Sequence, residues 1–192
     1  MLPKIMMKYL FGLLLLCICI ACDQPKKPVA ATSSADKQIP NHLLITPGGG
    51  IGKVTVGENA ETVLKALGKP DAGDAAMGSQ LMTWYDNHVK SGHRFTVFSH
   101  RENGGPRDPI SAVKAIRITS PEFRTTGGAH TGVPIADVKK EFSLQRTQSS
   151  GVTIYTDSAS GIAFEIDARD NCSAIIVFAR GGMADTYLNM RE

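Results

Sequence analysis

The chain has 192 residues, 42% of them hydrophobic, with 21 Lys and Arg against 18 Asp and Glu. Removing Lys4 and Lys8, which belong to the leader described next, leaves 19 basic residues against 18 acidic ones. A nucleic-acid binder carries a concentrated basic footprint, and this near-neutral balance excludes one.

The first element is a leader. Lys4 and Lys8 precede an apolar run of 13 residues, Tyr9 to Ala21, and then Cys22. A bilayer-spanning helix takes ~20 apolar residues, so the run has the length of a secretory signal core. Cys19-Ile20-Ala21-Cys22 resembles the lipobox of bacterial lipoprotein precursors, with Cys19 where leucine is usual. The resemblance implies cleavage after residue 21, a lipid on Cys22 and attachment to a membrane of the cell envelope, facing the periplasm or the exterior. Cys17 and Cys19 leave with the signal, so Cys172 has no partner for an internal disulfide. Residues 22–44 are rich in Pro, Ala, Ser and Lys without apolar periodicity. They read as a flexible tether with an end-to-end distance of roughly 25–30 Å. The remaining 148 residues, Ile45 to Glu192, are enough for a core.

Gly48-Gly49-Gly50-Ile51-Gly52-Lys53 follows. A phosphate-binding loop wants Gly at the place of Pro47 and Ser or Thr at the place of Val54, so the stretch reads instead as a flexible lead-in to the first strand. Ala60, Val63 and Leu67 then form an apolar helical stripe, with Asn59 placed to cap it, Gly68 suited to the left-handed position past its end, and Pro70 blocking continuation. A second stripe, Ile135, Val138 and Phe142, follows Pro134, which suits the first helical position.

Gly57, Val63, Lys65 and Leu67 recur 75 residues later as Gly132, Val138, Lys140 and Phe142, and Gly52 recurs as Gly127. After each stripe come runs of strand character. Thr83-Trp84-Tyr85 matches Thr153-Ile154-Tyr155, Arg94–Val97 matches Ala163–Ile166, and Ala115–Ile118 matches Ala174–Val177. The expected fold is therefore α+β: two tandem units, 45–124 and 125–192, each a helix followed by a three-stranded antiparallel meander, with the helices on one face of the sheet.

The pattern Gly57-x5-Val63-x3-Leu67-Gly68-x-Pro70, followed by Thr83-Trp84-Tyr85, resembles the small outer-membrane-assembly lipoproteins of the SmpA/OmlA type and the wider β-lactamase-inhibitor-protein-like fold. Tandem copies look more like the inhibitor proteins, and that resemblance implies a sheet that grips another protein.

Chemistry is scarce along the chain. His88, His93 and His100 are spaced by five and seven, neither a helical nor a strand-face ligand pattern. There is no Gly-x-Ser-x-Gly elbow, and Cys172 has no recognisable histidine context. The expectation is a non-enzymatic module with no cofactor and no metal. Strand alternation predicts that Trp84, Phe95, Val97, Ile116, Ile118, Ile154, Phe164, Ile166, Ile175 and Val177 point to the core. The opposite face then carries Tyr85, Arg94, Phe98, Arg117, Tyr155, Glu165, Ile176 and Phe178. Aromatic residues mixed with Arg is an interface composition. Either this open face binds another envelope macromolecule, with Tyr85, Arg94, Phe98, Arg117, Tyr155, Glu165 and Phe178 as the candidate contacts, or it is buried beneath a loop or the C-terminal tail. An inhibitor of a hydrolase, and an envelope enzyme or small-ligand binder with a polar pocket between the halves, are the alternative functions.

Overall fold

The computed structural model describes residues 38–101, 110–149, 151–184 and 189–191. The signal, Cys22 and the tether as far as Lys37 lie outside the described residues. The last part of the segment read as tether is folded: Asn41–Leu43 form a single 3₁₀ turn, and Leu44 bridges to Arg124.

A small antiparallel sheet comes first, β1 (Ile45–Thr46), β2 (Gly50–Ile51) and β3 (Val54–Thr55). The glycines of this stretch are structural rather than a flexible lead-in. A Cβ at Gly50 would collide with the Val54 carbonyl on the paired strand, and Gly52 turns the chain at φ +60°. Helix α1 (Ala60–Leu67) starts as its sequence predicts, with the Asn59 side chain accepting from the Glu61 N–H at 3.1 Å. It ends at Gly68, φ +78°.

The rest is dominated by one antiparallel sheet of eight strands: β4 (Ala72–Ala76), β5 (Ser79–Tyr85), β6 (Arg94–His100), β7 (Ala112–Ile118), β8 (Gln145–Ser149), β9 (Val152–Asp157), β10 (Ile162–Ile166) and β11 (Cys172–Phe178). Their order is β4-β5-β6-β7-β11-β10-β9-β8. Two four-stranded meanders thus meet at the β7–β11 pair, where Ile118 lies opposite Ile175 and Ile116 opposite Val177.

This corrects the expected architecture of two helix-plus-meander units. The protein is mostly β, built on a single sheet. Each half adds a fourth strand, β4 or β8, and the second stripe forms only one turn, α2 (Ile135–Val138). Pro134 precedes that turn in an extended conformation, φ −61° and ψ 141°, rather than opening it. Lys139 follows as the end of the turn, so Phe142 packs from outside the helix.

The core on the helix side joins Val63 and Val138 to Met82, Val97, Ile116, Ile118, Phe164 and Ile175. The other side holds a second cluster of Leu81, Phe98, Ala115, Ile154, Ala163, Ile176 and Phe178, closed by Met190 from the C-terminal segment. Strand β11 is the reason both clusters exist. From Ala174 to Phe178 every residue is buried, because each face has a cover. Each large side chain buried there contributes roughly 1.5–3 kcal/mol of apolar transfer.

Candidate functional site

The residues expected to form an open binding face do not form one. Phe98, Arg117, Glu165 and Phe178 are buried, at 3%, 7%, 2% and 1% exposure, and Tyr85 is buried with them. Arg94 is half-buried. Tyr155 lies on the opposite face: it pairs with Phe164 in the β9–β10 register and packs against the helix-side core, while Ile154, opposite Glu165, joins the other cluster. Aligning Thr153-Ile154-Tyr155 with Thr83-Trp84-Tyr85 is therefore off by an odd number of residues, and with a period of two that exchanges the faces. The two tyrosines share no surface.

What covers the face is the C-terminal tail. Glu165 accepts from Arg117 Nη2 at 2.7 Å and from Arg191 Nε at 2.9 Å. Arg94 Nη1 donates to the Arg191 carbonyl at 2.7 Å, and its guanidinium carbon lies 5.6 Å from the centre of the Tyr85 ring. Arg117 reaches Glu165 across β11, where the intervening residues include Ala174, and Ala163 stands next to Glu165 on β10. Small side chains at these two positions leave room for a guanidinium. The cluster is satisfied internally, so it is a structural clamp.

The helix face carries the opening. A cleft of about 420 Å³ lies between the end of the large sheet, α1 and the small sheet. Its floor is one register row, Trp84 on β5, Phe95 on β6 and Ile118 on β7. Leu67 of α1, Ile51 and Val54 of the small sheet, Leu43 of the 3₁₀ turn and Phe123 after β7 form the walls. His42, Lys53, Asp86 and Glu122 ring it with mixed charge, and Arg94 adds to the lining while its guanidinium is held by the tail on the other face.

The aromatic residues are fixed in place. Trp84 Nε1 donates to the carbonyl of Gly68, an otherwise open acceptor at the end of α1, at 3.2 Å. Trp84 meets Phe95 edge-on at 6.4 Å between ring centres, and Phe95 meets Phe123 at 6.0 Å. Phe123 is held because Arg124 is laced to the start of the domain, donating to the Leu43 carbonyl and accepting from the Ile45 N–H at 3.0 and 2.7 Å. A Cβ at Gly52 would meet the His42 carbonyl at 2.6 Å and the Phe123 ring at 3.2 Å, so this wall also requires glycine. Asp71 fastens the end of β5 beside Trp84. Its carboxyl accepts from the Tyr85 N–H at 2.8 Å and contacts His88 Nδ1 at 2.6 Å, and these two partners, the backbone N–H first, hold it below the usual carboxylate range.

Trp84, Phe95, Phe123, Leu67 and Leu43 are all half-buried. Such a site, apolar inside with a few polar groups at its mouth, has the composition of ligand and hot-spot pockets. Two other depressions, each of about 410 Å³, have no aromatic lining. Among the described residues, no group of three His, Cys, Asp or Glu is placed to hold a metal ion. His100 bonds Ser79 through Nδ1 at 2.9 Å, and His88 is committed to Asp71.

No family model matches the chain, and no curated protein matches it significantly. Among solved structures, an extracellular protein containing a SCP domain from Bacillus anthracis str. Ames is similar at 12% identity and a TM-score of 0.40, covering 66% of this chain and 44% of that one. The chain thus spans less than half the length of that protein, and a likeness of this size carries no argument. No helix among the described residues is long and apolar enough to cross a membrane.

Proposed function

We propose that this chain is a lipid-anchored, non-enzymatic binding module of the bacterial cell envelope that takes an apolar or aromatic group of another macromolecule into the Trp84–Phe95–Phe123 cleft. The observation carrying this reading is that three rings are oriented by a hydrogen bond from Trp84 to the backbone and by ring contacts, yet left half-exposed inside one open cleft. A side chain buried for stability alone has no need of an opening. The mixed charge around the mouth supplies orientation, as at interface rims. The expected open face opposite the helices gives up this role because the chain's own tail occupies it.

The test is affinity capture from detergent-solubilised envelopes with the unsubstituted chain and with Trp84→Ala/Phe123→Ala. A partner should be retained by the first and lost by the second, and the purified partner should change the emission of Trp84, the chain's single tryptophan. Equal capture by both chains would overturn the reading. The anchor is tested separately. Cys22→Ser should move the protein from the membrane pellet to the soluble fraction with its melting temperature unchanged, and a variant that still pellets with its signal uncleaved would make residues 9–21 an anchor helix instead.

A further inference from the structure

The aromatic cleft stands at the root of the chain that precedes the domain. His42 and Leu43 line it, and the described residues begin at Gln38, four positions before His42. Further upstream lies Pro25-Lys26-Lys27-Pro28. Proline-rich segments are pre-set for the polyproline II helix and dock in aromatic-lined grooves. That helix has three residues per turn, so Pro25 and Pro28 fall on one edge roughly 9 Å apart, with Lys26 and Lys27 to either side. The cleft offers three rings in succession, Trp84, Phe95 and Phe123, spaced 6.4 and 6.0 Å between centres. Asp86 follows β5 and Glu122 follows β7, past the same end of the aromatic row. Both side chains are exposed, and neither has an ion pair or hydrogen bond among the described residues. The cations at the mouth, Lys53 and His42, come instead from the small sheet and the 3₁₀ turn. A second Pro-x-x-Pro, residues 106–109, connects the ends of β6 and β7 that lie away from the cleft, and its Arg107 and Asp108 cancel in charge.

We propose that Pro25–Pro28 docks in the cleft of its own chain, with the prolines on the rings and Lys26 and Lys27 against Asp86 and Glu122. This rests on the cleft being a binding site, and it names the chemistry the site prefers: an extended, basic proline segment. Chain length permits it. Nine residues, 29–37, join Pro28 to Gln38. A coil of that length averages roughly 15–18 Å end to end, enough to bring the segment back over a wall built from His42 and Leu43. Tethering at this range gives an effective concentration on the order of 1 mM, so a segment of only ~0.1 mM affinity is docked in about nine chains of ten. An outside partner then meets an occupied cleft, and its apparent affinity falls about ten-fold. On the anchor reading, a docked Pro25 stands three residues from Cys22 and holds the domain down on the membrane. A partner that takes the cleft releases the tether to its full reach.

The experiment is acrylamide quenching of Trp84, the chain's single tryptophan, in the detergent-solubilised full chain without any partner. Pro25→Ser/Pro28→Ser should shift the emission to the red and raise the quenching, and Lys26→Glu/Lys27→Glu should do the same. Asp86→Lys/Glu122→Lys should also raise it, and adding Lys26→Glu/Lys27→Glu to that variant should lower it again, because the charges are then exchanged rather than lost. In envelope capture, Pro25→Ser/Pro28→Ser should tighten the partner's Kd by about ten-fold. Quenching that is equal in the unsubstituted chain and in Pro25→Ser/Pro28→Ser overturns the proposal. Protection that fades on dilution overturns it too, since the segment in the cleft then comes from a second copy. The emission is read with no partner present, so failure of docking is distinct from failure of the cleft reading, which is judged by capture with Trp84→Ala/Phe123→Ala.

Discussion

The two faces of the large sheet begin from similar material. Each combines aromatic residues with charged ones, Arg94 and Arg117 on the tail side and Lys53, Asp86 and Glu122 around the cleft, and on composition either could bind a partner. On the helix face, Trp84 and Phe95 stay half-exposed because α1, the small sheet and Phe123 surround them without closing over them. On the other face, Phe98 and Phe178 are sealed beneath Met190, and the charges are paired among themselves. The difference teaches that composition nominates a face while the remaining chain decides whether it is available. Measurements that separate stability from binding therefore test the two faces in opposite directions.

The largest expected effect is on the sealed face. Glu165→Ala leaves the Arg117 guanidinium, whose side chain is 9% exposed, without its counter-charge. Breaking one side of a buried ion pair costs about 3–5 kcal/mol, to be read from urea unfolding. Replacing both partners by apolar side chains, Arg117→Met/Glu165→Leu, should recover most of that loss. A single variant as stable as the unsubstituted protein would show that the clamp is open to water.

Next in size is the tail itself. Met190→Ala should cost about 1–3 kcal/mol, less than a mid-strand core residue because the segment can lift away, and it should leave capture through the cleft intact. Trp84→Ala should cost a similar or smaller amount of stability, since the ring is half-exposed, while abolishing capture. The opposite pairing, capture lost with Met190→Ala and kept with Trp84→Ala, would exchange the roles of the two faces. The tyrosines sharpen the point. Tyr155→Ala should loosen the helix-side core and release Lys139, whose Nζ lies 4.6 Å from the ring centre, whereas Tyr85→Ala should disturb Arg94 and the tail.

How much of this was legible in the sequence depends on how local the cause is. Helix α1 could be read from its stripe, Asn59 and Gly68 because cap and stripe act within one element. The central strands were legible from their apolar runs, whereas the unbroken apolar run from Ala174 to Phe178, read as alternating between core and open face, is buried throughout because both faces are covered. Strands β4 and β8 were not legible. Ala-Gly-Asp-Ala-Ala and Gln-Arg-Thr-Gln-Ser have little strand propensity, and pairing with β5 and β9 imposes their shape. The face of Tyr155 was lost to a one-residue uncertainty in matching two strands, which no local pattern resolves. The cleft depends on Leu43 and Phe123, one in a segment that reads as tether and one in a loop, brought together by the backbone hydrogen bonds of Arg124 with Leu43 and Ile45.

The smallest expected effect reads both faces through one thiol. Cys172 packs in the helix-side core at 2% exposure, and its Sγ contacts the Ala174 carbonyl at 3.5 Å. Burial, with the Glu165 carboxylate adding repulsion, pushes its pKa up from 9.0 to about 12. The folded protein therefore holds the thiol proton at a pH where the unfolded chain has released it. The stability this contributes is complete below pH 9.0 and is lost as the pH rises toward 12, so the urea midpoint should fall across that window, and less steeply in Cys172→Ala. At pH 8 a thiol reagent should label Cys172 only in unfolded molecules, because the thiolate is the nucleophile and the folded site disfavours it. The comparison enters through the carboxylate: Glu165→Gln keeps the shape but removes the charge, and should bring folded-state labelling to a slightly lower pH. Rapid labelling of the folded protein at pH 8 would mean that the β10–β11 end of the sheet opens locally, and that the sealed face is less sealed than the cleft face is open.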